Sequence, residues 1–212
     1  GTPLRRHPSA GRMYTSLFHA FDDSVAVFGH ESLVLLDAET DEERGRFTGR
    51  DFLIRGDLIM IMTSRDTLAT VDSGTGKTMW ENPLDGAYVA NVASVGDRIF
   101  VQGALGSGMY VECLDAKTGQ SLWKENAEEG RTWLRLLASD DRVYMVSGPK
   151  EEGGIAVAGP DAILVWTFDG QALPSIPPGE TLAGMEYYDV MAGPLEVDGH
   201  SFPVNERLDR SW

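Results

Sequence analysis

Four stretches of this chain repeat one pattern, and that repeat limits the possible folds more than any other feature. Each stretch opens on a polar turn and runs into an apolar strand-like segment. The four are Asp22-Asp23-Ser24-Val25-Ala26-Val27, Gly56-Asp57-Leu58-Ile59-Met60-Ile61, Gly96-Asp97-Arg98-Ile99-Phe100-Val101 and Asp140-Asp141-Arg142-Val143-Tyr144-Met145. Their shared aspartates, Asp23, Asp57, Asp97 and Asp141, stand 34, 40 and 44 residues apart. A second landmark follows in each copy, an apolar stretch that ends in an aspartate: Leu33 to Asp37, Leu68 to Asp72, Val111 to Asp115 and Leu164 to Asp169.

Two of these continue almost identically, as Asp72-Ser73-Gly74-Thr75-Gly76-Lys77-Thr78-Met79-Trp80 and Asp115-Ala116-Lys117-Thr118-Gly119-Gln120-Ser121-Leu122-Trp123. The first copy keeps Asp37-Ala38-Glu39-Thr40, has Asp41 where glycine is expected, and brings Phe47 two positions late. The fourth shortens its turn to Asp169-Gly170. A further apolar stretch precedes each first landmark, and a short one follows each turn, which makes about four strands per copy. Alternation at Val25/Val27, Ile59/Ile61, Ile99/Val101 and Val143/Met145 has the strand period of two. No segment holds a 3.6-residue period between capping signals, so little helix is expected.

Four antiparallel strands per repeat of about 40 residues describe a propeller blade. A lone blade leaves two apolar faces in water, and stacking blades buries both. This accounts for the unbroken apolar run Leu58 to Met62. The turn residues have matching roles. Asp72 and Asp115 can accept hydrogen bonds from turn amides, Gly76 and Gly119 accept positive φ, and Trp80 and Trp123 are placed to fill the gap between neighbours. The predicted fold is all-β, a β-propeller of four-stranded antiparallel blades, four to five in number. The expected blades cover residues 16–49, 50–86, 87–130 and 131–181. Residues 1–15 read as a basic arm with Arg5, Arg6 and Arg12 and no acid, residues 148–160 as an exposed insertion, and 182–212 as a partial fifth blade or ring-closing strands and tail.

The Asp-x-x-Thr-Gly-x-x-x-Trp turn resembles the repeat of the PQQ-type propellers, the family of quinoprotein alcohol dehydrogenases and of outer-membrane assembly lipoproteins. The resemblance spans residues 16–181 and is sharpest at 72–80 and 115–123. For the dehydrogenase branch it implies a quinone inside eight blades, commonly with a vicinal disulfide, a calcium ion and a catalytic aspartate. This chain has one cysteine, Cys113, so it lacks the vicinal pair, and it offers about half the blades. The resemblance is therefore closer to the non-catalytic assembly branch, and implies a protein-binding or scaffolding role in the periplasm or outside the cell. The sequence itself leaves the cytoplasm open. The alternative reading is a propeller portion of a larger enzyme whose active site lies elsewhere.

Other motifs resolve to structure. Gly74-Thr75-Gly76-Lys77-Thr78 has Val71 where a phosphate-binding loop needs glycine, and the Gly103 to Gly108 stretch joins two strands. His7, His19, His30 and His200 share no metal-ligand spacing with one another or with Cys113. Asp37/Glu39/Asp41 alternate as in a calcium loop, but Glu42 stands where glycine is needed and Thr48 where the bidentate glutamate belongs. The acidic pairs read as solvated turns, and no Gly-x-Ser-x-Gly elbow occurs. The expectation is no catalytic residue, no cofactor and no metal.

Composition adds what the repeat leaves open. Eighteen Lys+Arg face 33 Asp+Glu, a formal net charge of −15. That balance disfavours nucleic acid and anionic lipid as partners. No apolar run approaches the ~18 residues of a membrane span. Four blades and a remnant leave two readings for the ends. Either an open arc is completed by a protein partner, a second copy or further sequence, or residues 182–204 seal a small ring. The first residue is glycine and no leader is readable, which points to a processed chain or a portion of a longer one.

Overall fold

A computed structural model describes residues 17–29, 31–49, 51–64, 66–84, 88–105, 108–127, 131–149, 162–178 and 194–202. The basic arm, residues 150–161 with most of the insertion, residues 179–193, His7 and His30 lie outside them. The described residues are all strand and turn, in four sheets of four strands and one of two.

Each four-stranded sheet is an antiparallel meander in chain order. The first holds β1 (Leu17–Ala20), β2 (Ser24–Phe28), β3 (Ser32–Asp37) and β4 (Glu43–Thr48). The second holds β5 (Asp51–Arg55), β6 (Leu58–Met62), β7 (Thr67–Asp72) and β8 (Lys77–Pro83). The third runs through β9 (Tyr88–Val95), β10 (Arg98–Leu105), β11 (Gly108–Asp115) and β12 (Ser121–Ala127). The fourth runs through β13 (Arg131–Ala138), β14 (Arg142–Pro149), β15 (Ala162–Thr167) and β16 (Ala172–Ile176). A hairpin, β17 (Leu195–Val197) and β18 (His200–Phe202), follows. The chain divides into two compact units: one carries the strands up to Met79, and the other starts at Trp80 and also takes in residues 65–67.

One register recurs in all four sheets. The residue just after the first polar turn pairs with the residue that opens the last turn: Ser24 with Asp37, Leu58 with Asp72, Arg98 with Asp115, Arg142 with Thr167. The fourth pair corrects the sequence alignment, which puts Asp169 in the place of the closing aspartate. Thr167 takes that place, because its N–H bonds the Gln171 carbonyl (2.9 Å) as Asp115 N–H bonds that of Gln120 (2.9 Å). The hydroxyl of Thr167 also accepts the Gln171 amide (3.1 Å), which replaces the missing carboxylate.

The two turns at this end of a sheet are joined through the backbone. The carbonyls of Asp23, Asp57 and Asp97 accept the amides of Ala38, Ser73 and Ala116 at 3.0, 3.0 and 2.9 Å. That tie explains why the polar dipeptide and the closing aspartate keep their places while the loops between them vary.

Second and third strands are apolar along their length because both faces are covered. Ile99, Phe100 and Val101 are fully buried, as are Val143, Tyr144, Met145 and Val146. In the first unit Ala26, Phe28, Leu33 and Leu35 of sheet one pack on Phe52, Ile59, Ile61 and Val71 of sheet two. In the second unit Phe100, Val111 and Cys113 of sheet three pack on Leu136, Val143 and Met145 of sheet four. Each large side chain of these clusters contributes about 1.5–3 kcal/mol by leaving water. The stacked meanders are propeller blades.

Candidate functional site: the turn rim and its indole latches

The turns that the sequence singles out share one geometry. Asp72 Oδ1 accepts the Thr75 amide and the Thr75 hydroxyl, both at 2.7 Å. Asp115 Oδ1 accepts the Lys117 amide (3.0 Å), the Thr118 amide (2.8 Å) and the Thr118 hydroxyl (2.9 Å). Such bonds favour the ionised form. Both carboxyls therefore sit below the usual carboxylate range, Asp72 chiefly through the Thr75 hydroxyl and Asp115 chiefly through the Thr118 amide. The turn closes when the Gly76 and Gly119 amides bond the Asp72 and Asp115 carbonyls at 2.9 and 2.8 Å. In that closure Gly76 has φ 66° and Gly119 has φ 70°. This left-handed region is open to glycine without steric cost.

The two tryptophans reach from one blade to the next turn. Trp80 is 9% exposed, and its indole N–H donates to the Ala116 carbonyl (2.8 Å), one residue past Asp115. Trp123 donates to the Phe168 carbonyl (2.6 Å), one residue past Thr167. The rings lie on the turn glycines: a Cβ on Gly119 would stand closer than 3.0 Å to the Trp80 ring, and one on Gly170 at 2.8 Å from Trp123 Cγ. Asn82, two residues beyond Trp80, donates to the Gly119 carbonyl (2.7 Å). Glycine is thus needed twice over in this turn, for its φ and for the ring above it.

The first blade solves the same problem differently. Gly45 occupies the tryptophan position, and the Phe47 ring folds back over it, 2.8 Å from where a Gly45 Cβ would be. Arg44 supplies the reach. Its guanidinium bonds the Gly74 carbonyl of the next turn, pairs with Asp37 of its own turn (2.7 Å) and meets Asp23 (3.1 Å). Arg44, helped by the Thr40 and Glu39 amides, holds the Asp37 carboxyl far below the usual range. Asp41 takes φ of 60°, so the non-glycine residue adopts the turn geometry of Gly76 and Gly119. Aspartate tolerates this region better than most residues. Nothing in the sequence pattern points to Arg44, because no other copy of the turn repeats it.

The remaining candidates take structural places. Cys113 is fully buried in β11, and burial pushes its thiol up to about 12, so it stays a thiol. A single cysteine makes no vicinal disulfide. His19 is exposed on β1, and His200 lies beside Tyr144 with ring centroids 6.1 Å apart. Among the described residues no group of three or more His, Cys, Asp or Glu is placed to hold a metal ion. Nor is any helix among them long and apolar enough to cross a membrane.

Two overlapping segments, residues 12–132 and 64–193, match the family described as outer membrane protein assembly factor BamB. The chain belongs to this family. One relative, the outer membrane protein assembly factor BamB of Burkholderia pseudomallei (strain K96243), is 38% identical over 81 residues. That alignment takes in 38% of this chain and 19% of the relative. Among solved structures the quinohemoprotein alcohol dehydrogenase ADHIIG from Pseudomonas putida HK5 matches with a TM-score of 0.55 and 13% identity, over 87% of this chain and 37% of its own. A europium-containing methanol dehydrogenase matches with 0.53 and 14%, over 76% and 43%. The Pan2 WD40 domain of Neurospora crassa gives 0.53 and 14%, over 76% and 51%. At these identities the likeness shows the β-propeller fold alone, and it spans enzymes and a WD40 domain alike. The chain spans about half or less of the length of these three structures, and about a fifth of the BamB relative.

Proposed function

We propose that this chain is a non-catalytic propeller segment that acts by binding other proteins, in the periplasm, during the assembly of outer membrane proteins. The observation that carries this reading is the family match over residues 12–193, in a chain whose distinctive residues are spent on holding blades together. Asp72, Asp115, Thr75, Thr118, Trp80 and Trp123 all have partners within the fold. Surface chemistry therefore belongs to the loops and outer strands, where Met79 and Leu122 stand exposed one residue before each tryptophan.

The test is binding of the purified protein to a solubilised outer membrane β-barrel protein, followed by calorimetry, together with outer membrane protein content in cells lacking the gene. Saturable binding and depleted outer membrane proteins are expected. Bound quinone absorbance, stoichiometric calcium or alcohol oxidation with an artificial electron acceptor would favour the enzyme-portion reading instead.

A further inference from the structure

An aspartate followed by glycine can react with its own backbone. The glycine amide nitrogen, which no Cβ shields, attacks the aspartate Cγ and closes a five-membered succinimide ring. A carboxyl C–O bond breaks, and the oxygen leaves as water with the amide proton. Water then reopens the ring at either carbonyl, which gives back aspartate or gives isoaspartate, with no change of oxidation state. The sequence holds three such pairs, Asp85-Gly86, Asp169-Gly170 and Asp198-Gly199. The first lies outside the described residues, and the other two are guarded in different ways.

At Asp169 the side chain is exposed, but the backbone on both sides is pinned. The Phe168 carbonyl accepts the Trp123 indole N–H (2.6 Å), and the Gly170 amide donates to the Thr167 carbonyl (3.0 Å). The Trp123 ring lies against Gly170, 2.8 Å from where a Cβ would stand. The nucleophile is therefore already bonded, and the ring cannot close until the turn and its indole latch open.

At Asp198 the guard is a side chain. Asp198 (φ 52°) and Gly199 (φ 78°) form the two-residue turn across which Val197 pairs with His200. The Gly199 amide has no acceptor among the described residues. What is held is the carboxylate: Asp198 Oδ2 accepts from the Arg142 guanidinium (2.6 Å) and from the Tyr144 hydroxyl (3.4 Å). Attack on Cγ requires this carboxyl to leave both donors and turn to the Gly199 nitrogen. The ion pair is open to water, with side-chain exposures of 40% for Arg142 and 36% for Asp198, and such pairs are weak. A two-stranded hairpin also opens more readily than a four-stranded blade.

We propose that Asp198–Gly199 is a site of spontaneous isoaspartate formation in the folded protein, gated by Arg142, and that the Trp123 latch spares Asp169–Gly170. Water is the only co-reactant. The product adds one carbon to the backbone of a two-residue turn, so the pairing of Val197 with His200 is not kept. The inference rests on these two turns and is independent of the binding role proposed above.

Ageing of the folded 212-residue protein at neutral pH and physiological temperature, with isoaspartate located by peptide mapping, tests it. Isoaspartate should build up several-fold faster at Asp198 than at Asp169. Arg142→Met should raise the rate at Asp198 by about two- to fivefold, the scale of an exposed ion pair, and leave Asp169 unchanged. In guanidinium chloride, where neither guard exists, the two sites should age at comparable rates. Equal or faster ageing at Asp169 in the folded protein overturns the proposal, as does an unchanged rate at Asp198 in Arg142→Met. The same preference for Asp198 in guanidinium chloride also overturns it, since local sequence would then be the cause. Should Arg142→Met fail to fold, molar salt on the wild-type protein decides: faster ageing at Asp198 supports the gate, and an unchanged rate overturns it.

Discussion

The joint between the first two blades and the one at Trp80 carry out the same task with different chemistry. At Trp80 a large ring lies on a turn glycine and gives one hydrogen bond to a turn carbonyl, so most of the holding comes from apolar area. At Arg44 a charged group spans two carboxylates and a carbonyl, while Phe47 covers the vacated slot. The joint at Trp80 is local and dry, and the one at Arg44 is a charge network across three turns. The comparison teaches that the geometry of the rim, not the identity of the latch, is what the repeat preserves.

The strongest way to break the comparison is to remove the indoles. Trp80→Ala should cost about 3–5 kcal/mol, the range for emptying a buried aromatic site. Trp123, less deeply buried, should cost less by the same change, and urea unfolding of each variant checks the order. Equal losses at or below ~1 kcal/mol would mean that area is not what holds these joints.

Next in size is the glycine beneath the ring. A Cβ at Gly119 meets the Trp80 ring and a left-handed φ together. Gly119→Ala should therefore destabilise by about 2–4 kcal/mol, the sum of overpacking and backbone strain. Gly56 has a left-handed φ too, but open space around the position of its Cβ. Gly56→Ala should lose only the conformational part, about 1–2 kcal/mol. A thermal melt of the pair separates ring contact from backbone.

Arg44→Met sharpens the other side. Loss of the guanidinium should lower the urea midpoint by less than Trp80→Ala does, because its partners lie at the solvent-screened surface. The loss should shrink in molar salt, whereas that of Trp80→Ala should not.

The smallest expected effect is acid sensitivity. Asp37, Asp72 and Asp115 are held below their ordinary value of 3.8 in the fold. The stability they add is therefore fully present above that value and is lost as the pH falls through their folded values. Asp37 holds on to the lowest pH. Urea midpoints at pH 5 and pH 3 should differ, and Asp72→Asn should narrow the gap.

The blade architecture was legible because strand period, turn residues and repeat spacing all lie within one copy of the pattern. Asp72, Gly76 and Trp80 could be read together with Asp115, Gly119 and Trp123, since two near-identical turns print the same chemistry twice. The latch at Arg44 was illegible because, unlike the tryptophans, it stands in one copy of the turn only, so no second copy prints its chemistry again. The register of the fourth turn was misplaced from sequence for a related reason. Asp169 looked like the repeat's aspartate, while hydrogen bonding assigns the role to the hydroxyl of Thr167.

The carbonyls of Asp23, Asp57 and Asp97, rather than their carboxylates, stitch the two rim turns of their sheets. The Asp57 and Asp97 side chains are consequently spare as far as the stitch is concerned, whereas that of Asp23 also meets Arg44. A surface built this way can be redecorated by point substitution while its scaffold keeps its shape, which makes the rim a natural place to graft new specificities.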